Sequence, residues 1–171
     1  KNSLFANIEG VSLLSQLSSD ILIDNCKFIS GNEHVVNSFV SSMSIIHSSF
    51  IGARISLTNI ARSNLSVSLS DVDGIICFYS RHLGNQINTP NYGWIKANSN
   101  NIKWSTHAVY LGGYFASTED YVMLDFSQNY WNTTEIGVIE NGIIDYFDQE
   151  PLVSPNLAWP LVQFIPIKTV S

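Results

Sequence analysis

The sequence predicts an all-β chain wound as a parallel β-helix, a solenoid of about 5–6 coils. Three observations carry that prediction. First, "DNCKF" (residues 24–28) is echoed by "HSSF" (47–50) and by "LSDV" (69–72). With the last residue of each as a reference, Phe5, Phe28, Phe50, Val72, Ile102 and Trp131 follow at separations of 23, 22, 22, 30 and 29 residues. Second, other columns keep their character at fixed offsets. Five residues before the reference stand Ile23, Ile45, Val67, Ala97 and Phe126; seven before it stand Ile21, Met43, Leu65, Ile95 and Leu124. Two before it stand Ser3, Cys26, Ser48, Ser70, Asn100 and Asn129, small or polar apart from the cysteine. Third, only 13% of residues are charged, about half the usual share. Ser, Asn, Thr and Gln supply the polar surface instead, which suits strands joined by many turns.

The offsets define the unit. Side chains alternate along a strand, so positions −7 and −5 share one face, and so do −2 and 0. Parity breaks between −5 and −2, which places a corner at Asp24-Asn25, Ile46-His47 and Asn98-Ser99. A third strand follows the reference at 55–57, 75–78 and 108–111. Stacked coils lie about 4.8 Å apart, so equivalent residues sit above one another and inward columns must be apolar and of similar bulk. Corner side chains can bond along the stack or to the backbone. The longer steps after Val72 place projecting loops at "RHLGNQINTPNYGW" (81–94) and within "LGGYFASTEDY" (111–121), the first rich in turn-forming Gly, Asn and Pro. Phe5 already holds a reference position, so the pattern begins in mid-coil. Solenoids need capped ends, and the expectation is a fragment of a longer chain, or an end covered by another chain. The domain reading is one unit: coils over 1–131, then a cap and tail over 132–171.

The cap is read from "FSQNYWNTTEIGVIENGIIDYFDQEPLVSPNLAWPL" (126–161). Thr133 or Thr134 would cap a helix over about 134–143. Ile136, Ile139 and Ile143 would share its apolar face, and Gly142 would stop it. Asn129, Tyr130, Trp131, Thr133 and Thr134, then the three isoleucines, "DYFDQEPL" and "AWPL", resemble the terminal stretch of right-handed parallel β-helix proteins of the pectin-lyase-like class. That class commonly has Gly after the Trp; here Asn132 stands there, and Asn also tolerates left-handed backbone angles. The resemblance implies a right-handed solenoid with a short C-terminal capping helix and a terminal strand. It does not fix an activity, because the class hosts lyases, hydrolases, phage spikes and adhesins. The tail at 161–171 either packs along its own helix, as in that class, or docks on a neighbouring chain.

Composition excludes several functions. The net charge is −6 and the 8 Lys and Arg residues are scattered, so no cluster can replace the counterions of nucleic acid or bind anionic lipid. No 18-residue apolar run predicts membrane insertion. Cys26 and Cys77 are two coils apart, about 9–10 Å along the stack, beyond the roughly 7 Å that a disulfide spans between Cα atoms. They are expected to be free, buried thiols. No metal site is expected: there is no CxxC or HxH, and His34, His47 and His107 fall in different coils. No cofactor is expected either, with a surface calcium on Asp71 and Asp73 left open.

For catalysis the nearest constellation is Asp71, Asp73, Arg81 and His82. With Val72 inward, both carboxylates point outward on one side, as paired acid–base carboxylates on a glycoside must. The fuller constellation of the resembling glycosidases, with three carboxylates, Gly-His-Gly and Arg-x-Lys, is missing. For binding, Tyr79, Tyr92, Trp94, Tyr114 and Tyr121 crowd around the two loops, and aromatic faces beside Asn and Gln suit sugar rings or protein partners. Asn64 and Asn132 head glycosylation tripeptides by form, and Asn132, in the cap turn, is read as structural. The favoured function is an extracellular structural or adhesive module of a surface protein, fibre or phage spike. Its expected partners are carbohydrate, or another chain pairing with the open N-terminal coil, including a second copy. The alternative is a carbohydrate-active enzyme, lyase or glycosidase, or the non-catalytic terminal part of one. Either way the chain is placed outside the cell or on a cell or virion surface.

Overall fold

The computed structural model describes residues 2–8, 13–16, 20–31, 34–39, 42–59, 64–80, 94–111, 114–115, 123–145, 148, 157–158 and 161–170. Short strands follow one another in a fixed rhythm. The first circuit is β1 (Leu4–Ile8), β2 (Leu13–Gln16) and β3 (Asp20–Asp24). The second is β4 (Lys27–Ser30), β5 (His34–Phe39) and β6 (Ser42–Ile46), and the third is β7 (Ser49–Ile51), β8 (Arg54–Asn59) and β9 (Asn64–Ser68). Then come β10 (Asp71–Ser80) and β11 (Trp94–Asn98), followed by β12 (Asn101–Leu111), β13 (Tyr114–Phe115) and β14 (Met123–Asp125). The helix α1 (Ile136–Asn141), β15 (Ile143–Ile144), β16 (Leu157–Ala158) and β17 (Leu161–Gln163) complete the order.

Each strand of the two large sheets pairs in parallel with its counterpart one circuit away. One sheet joins β1, β4, β7, β10, β8, β5 and β2, with β12 and β15 continuing it from β10. The other runs β3, β6, β9, β11, β14, β17. A parallel neighbour cannot be reached by a tight hairpin, so the chain must travel round through the opposite sheet between paired strands. This all-β, parallel arrangement is consistent with a parallel β-helix. A separate antiparallel pair joins β13 to β16.

The register is the one the columns predict. Phe5 faces Phe28, Phe28 faces Phe50, Phe50 faces Val72 and Val72 faces Ile102. Ile102 N–H then donates to Tyr130 O beside Trp131. In the second sheet Ile23, Ile45, Val67 and Ala97 face in sequence, as do Ile21, Met43, Leu65 and Ile95. A column of like side chains has the same space to fill in every circuit, so it packs without voids. The rings of Phe5, Phe28 and Phe50 stack at 4.7 and 4.8 Å between centroids, nearly coplanar, one strand spacing apart. Phe28, Phe50, Phe78, Phe126 and Trp131 are all buried between the sheets, and each such side chain contributes about 1.5–3 kcal/mol of transfer free energy.

Two further columns make the corner. Asn2, Asn25, His47, Leu69, Ser99 and Gln128 all have positive φ, between 50° and 61°. This left-handed residue turns the chain between the sheets, where parity was seen to break. The next residue of each circuit points inward although it is polar: Ser48, Ser70, Asn100 and Asn129 are buried. They bond as a ladder. Cys26 N–H donates to Ser48 Oγ (3.2 Å), Ser48 N–H to Ser70 Oγ (3.1 Å), Ser70 N–H to Asn100 Oδ1 (3.1 Å), and Asn100 N–H to Asn129 Oδ1 (2.9 Å). The backbone N–H that the corner takes out of the sheet is thus satisfied by the circuit above. Cys26 and Cys77 are buried and free; burial pushes the Cys77 thiol up to about 12, Asp73 adding to the rise and a backbone hydrogen bond from Gly74 opposing it.

Four expectations need correction. The third strand does not stand alone in the later circuits: it fuses with the reference strand into β10 and β12, across register shifts beside Gly74. The helix is Ile136–Asn141 rather than 134–143. Its N-cap is Glu135 with no side-chain cap bond, while Thr133 Oγ1 accepts the Glu135 N–H (3.1 Å). Ile139 is buried, but Ile136 is exposed, and Ile143 belongs to β15, facing Val109 of β12. Gly142 ends the helix as its C-cap, as expected, with right-handed angles. Its importance is close packing, since a Cβ there would lie 2.7 Å from the Trp104 ring. Lastly, the tail does not lie along the helix. β17 pairs with β14, setting Val162 on Leu124, so the tail adds another rung to the second sheet. Asn132 does adopt left-handed angles, with φ 56°.

Candidate functional site

The outer face of the first sheet carries the carboxylate pair. Asp71 and Asp73 flank buried Val72 and both are exposed, separated by two residues or about 6–7 Å of strand. Each is engaged with the next circuit. Asn101 Nδ2 donates to Asp71 Oδ1 (2.7 Å), and Lys103 Nζ lies 3.4 Å from Asp73 Oδ2. Their neighbours across the sheet in the preceding circuit are Ser49 and Ile51. Arg81 and His82 lie outside the described residues. Among the described residues no three His, Cys, Asp or Glu side chains converge to hold a metal ion, and no helix is long and apolar enough to cross a membrane.

The aromatic candidates divide among the sheets. Tyr79 on β10 stacks on Tyr110 of β12, ring centroids 5.6 Å apart, and His107 meets the edge of Tyr110 at 5.9 Å. Trp94 opens β11 in the second sheet, and Tyr114 opens β13, opposite Ala158 of β16. Tyr92 and Tyr121 lie outside the described residues.

A further surface without a sequence motif lies on the outside of the second sheet. Here the outward residues of three successive circuits are Asp20, Leu22 and Asp24, then Ser42, Ser44 and Ile46, then Asn64, Ser66 and Ser68. The first two of each set, with Ile21 and Met43, line a groove of about 500 Å³ whose surface is mostly apolar. Next in the same register stand Trp94, facing Asn64, and Lys96, facing Ser66. Within the groove the middle two circuits contribute Ser42, Ser44, Asn64 and Ser66, with Asp20 and the exposed Leu22 at one end. The hydroxyls and the amide can donate and accept neutral hydrogen bonds at strand spacing. The signal was present in the sequence as the serines and asparagine between the inward columns, but polar residues on an outer strand face are also what any solvated sheet carries.

Beyond the groove the charge is locked in place. Burial opposes ionisation of Asp125. Hydrogen bonds from Ser127 Oγ (2.7 Å), Ser127 N (3.0 Å) and Asn98 Nδ2 (3.0 Å), with Lys96 nearby, outweigh it and hold the carboxyl below its ordinary value. No family model, curated protein or solved structure matches the chain.

Proposed function

We propose that the chain is a right-handed parallel β-helix of the pectin-lyase-like class serving as an extracellular structural or adhesive module, and that it binds neutral glycans along the outer face of the second sheet. The observation that carries this reading is the uncharged run Ser42, Ser44, Asn64 and Ser66 in a groove of about 500 Å³. Sugar hydroxyls are matched by hydroxyl and amide partners. The handedness and class are supported by the terminal "NYWNTT" stretch and by the stacked columns. The extracellular placement is supported by the low charge and the Ser/Asn-rich surface.

Titration of the chain against a panel of neutral and uronic-acid oligosaccharides tests the proposal. Binding to neutral members is expected, weakened by about tenfold or more when Asn64 and Ser66 are both changed to alanine. Asp71→Asn should leave it unchanged. Equal affinity in the double variant would remove the groove from the reading. The enzymatic alternative has its own support, the outward pair Asp71 and Asp73; turnover of any of these glycans that vanishes in Asp73→Asn would establish it in place of the module.

A further inference from the structure

The sequence holds two Asn-x-Ser/Thr tripeptides, Asn64-Leu65-Ser66 and Asn132-Thr133-Thr134, and the fold treats them oppositely. Asn64 opens β9 in the interior of the second sheet, paired with Ser42 on one side and Trp94 on the other. Asn64 and Ser66 are half-buried and Leu65 points into the core. Bending that backbone into an enzyme's cleft would pull a central strand from its sheet.

Asn132 is placed in the reverse manner. It follows buried Trp131, outside any strand or helix, and its side chain is exposed. The turn uses its backbone, at φ 56°, and its amide makes no hydrogen bond among the described residues. Thr134 is exposed too, and its hydroxyl has no partner among the described residues. Thr133, between them, is the residue occupied locally, through the bond to Glu135 N. The acceptor amide and the hydroxyl that a glycosylating enzyme must recognise therefore both face solvent, on a turn that needs neither for its shape.

We infer that Asn132 is the acceptor of an N-linked glycan and that Asn64 is not. The inference draws on the extracellular placement proposed above. In the reaction Asn132 Nδ2 attacks the anomeric carbon of an oligosaccharide carried on a lipid pyrophosphate. The N–C bond forms, the C–O bond to the pyrophosphate breaks, the lipid pyrophosphate leaves, and one amide proton passes to base; nothing is oxidised or reduced. The glycan would stand at the cap, on the opposite side of the corner from the groove around Asn64, leaving that groove free.

The test separates the acceptor from the placement by forcing secretion. The full chain is expressed behind a cleavable secretory signal in a host with an oligosaccharyltransferase, and its intact mass is read before and after enzymatic removal of N-glycans. One glycan is expected, with Asn132 read as Asp after its removal. It should be absent in Thr134→Ala and in Asn132→Gly, which keeps the left-handed turn, and retained in Asn64→Gln. In parallel, the purified folded chain is incubated with a single-subunit oligosaccharyltransferase and lipid-linked oligosaccharide, and the same single site should be modified. A secreted chain without glycan, or a glycan that survives Thr134→Ala, would overturn the inference.

Discussion

At the scale of the residue, the inward polar column turns the corners and fixes the register. Asn129 is its most heavily used member. Its Nδ2 donates to Ala97 O (2.6 Å) and Phe126 O (2.7 Å), while Oδ1 accepts from Asn100 N and Nδ2. Removing the amide strands those buried groups, each at a cost of about 1–3 kcal/mol. Asn129→Ala should therefore lower stability by at least about 3 kcal/mol in denaturant titration, and a loss below 1 kcal/mol would contradict the ladder. The left-handed corner offers a change of opposite sign. Leu69 sits there at φ 50° with 52% of its surface exposed, where an Asn avoids much of a steric cost of about 1–2 kcal/mol. Leu69→Asn should raise the unfolding free energy by about 1 kcal/mol. Asp125 supplies a pH dependence. Its folded pKa lies below the ordinary 3.8, so its contribution is present above that value and is lost as pH falls through the folded pKa. The stability gap between the protein and Asp125→Asn should be constant near neutrality and close in strong acid; a gap that persists there would deny the carboxylate's role. The small or polar character of the −2 column was legible in the sequence, and so was the corner. That these side chains bond from circuit to circuit was not, because residue identity does not report a rotamer.

At the scale of the element, strands were read better than the helix. A column is checked by five or six residues at once, whereas α1 has only its own six, and its ends rest on weak capping preferences. The three isoleucines that suggested a helical face are shared out between an exposed position, a core position and β15. Likewise β17 escaped notice because Phe126 and Phe164 are 38 residues apart, far from the period of the earlier circuits. Yet Val162 and Phe164 repeat the spacing of Leu124 and Phe126. The site was less legible than the fold, since a groove lined by serine has no motif and emerges only when three circuits are stacked. Where α1 meets the stack, Gly142 is pressed against Trp104, which itself packs edge-on to Trp131 at 6.1 Å between centroids. Gly142→Ala should cost about 1–3 kcal/mol by overpacking. Combining it with Trp104→Ala should cost less than the sum of the two single changes, because the space is then free. Strict additivity would place the strain elsewhere.

At the scale of the whole molecule, the two ends of the stack are unlike. At the C-terminal end β14 is covered by β17, Phe164 lies edge-on to Trp131 at 6.3 Å, and the buried Asp145 carboxylate accepts the Val162 N–H (2.8 Å). At the other end β1, β2 and β3 have a partner on only one side among the described residues, and the Phe5 ring stacks on Phe28 with its other face uncovered by any described ring. Parallel edges with free N–H and C=O groups accept further strands. Pairing there by a second copy joins unlike surfaces and need not close. The expected behaviour is reversible, concentration-dependent association through the β1 end, read by sedimentation velocity. Its geometry dictates the variant that tests it. Ser3 O accepts from Lys27 N (2.9 Å), so it faces β4, and by alternation along a strand the Leu4 N–H points away from β4 towards the open side. Leu4→Pro removes that donor and spares the bonds between β1 and β4, as proline at a strand edge does. Association should fall sharply while the melting temperature changes little. Deleting residues 161–171 should do the reverse: it bares β14, Phe126 and Trp131, lowers the melting temperature, and adds a second sticky end. If Leu4→Pro associates as strongly as the unaltered chain, the contact does not run through β1.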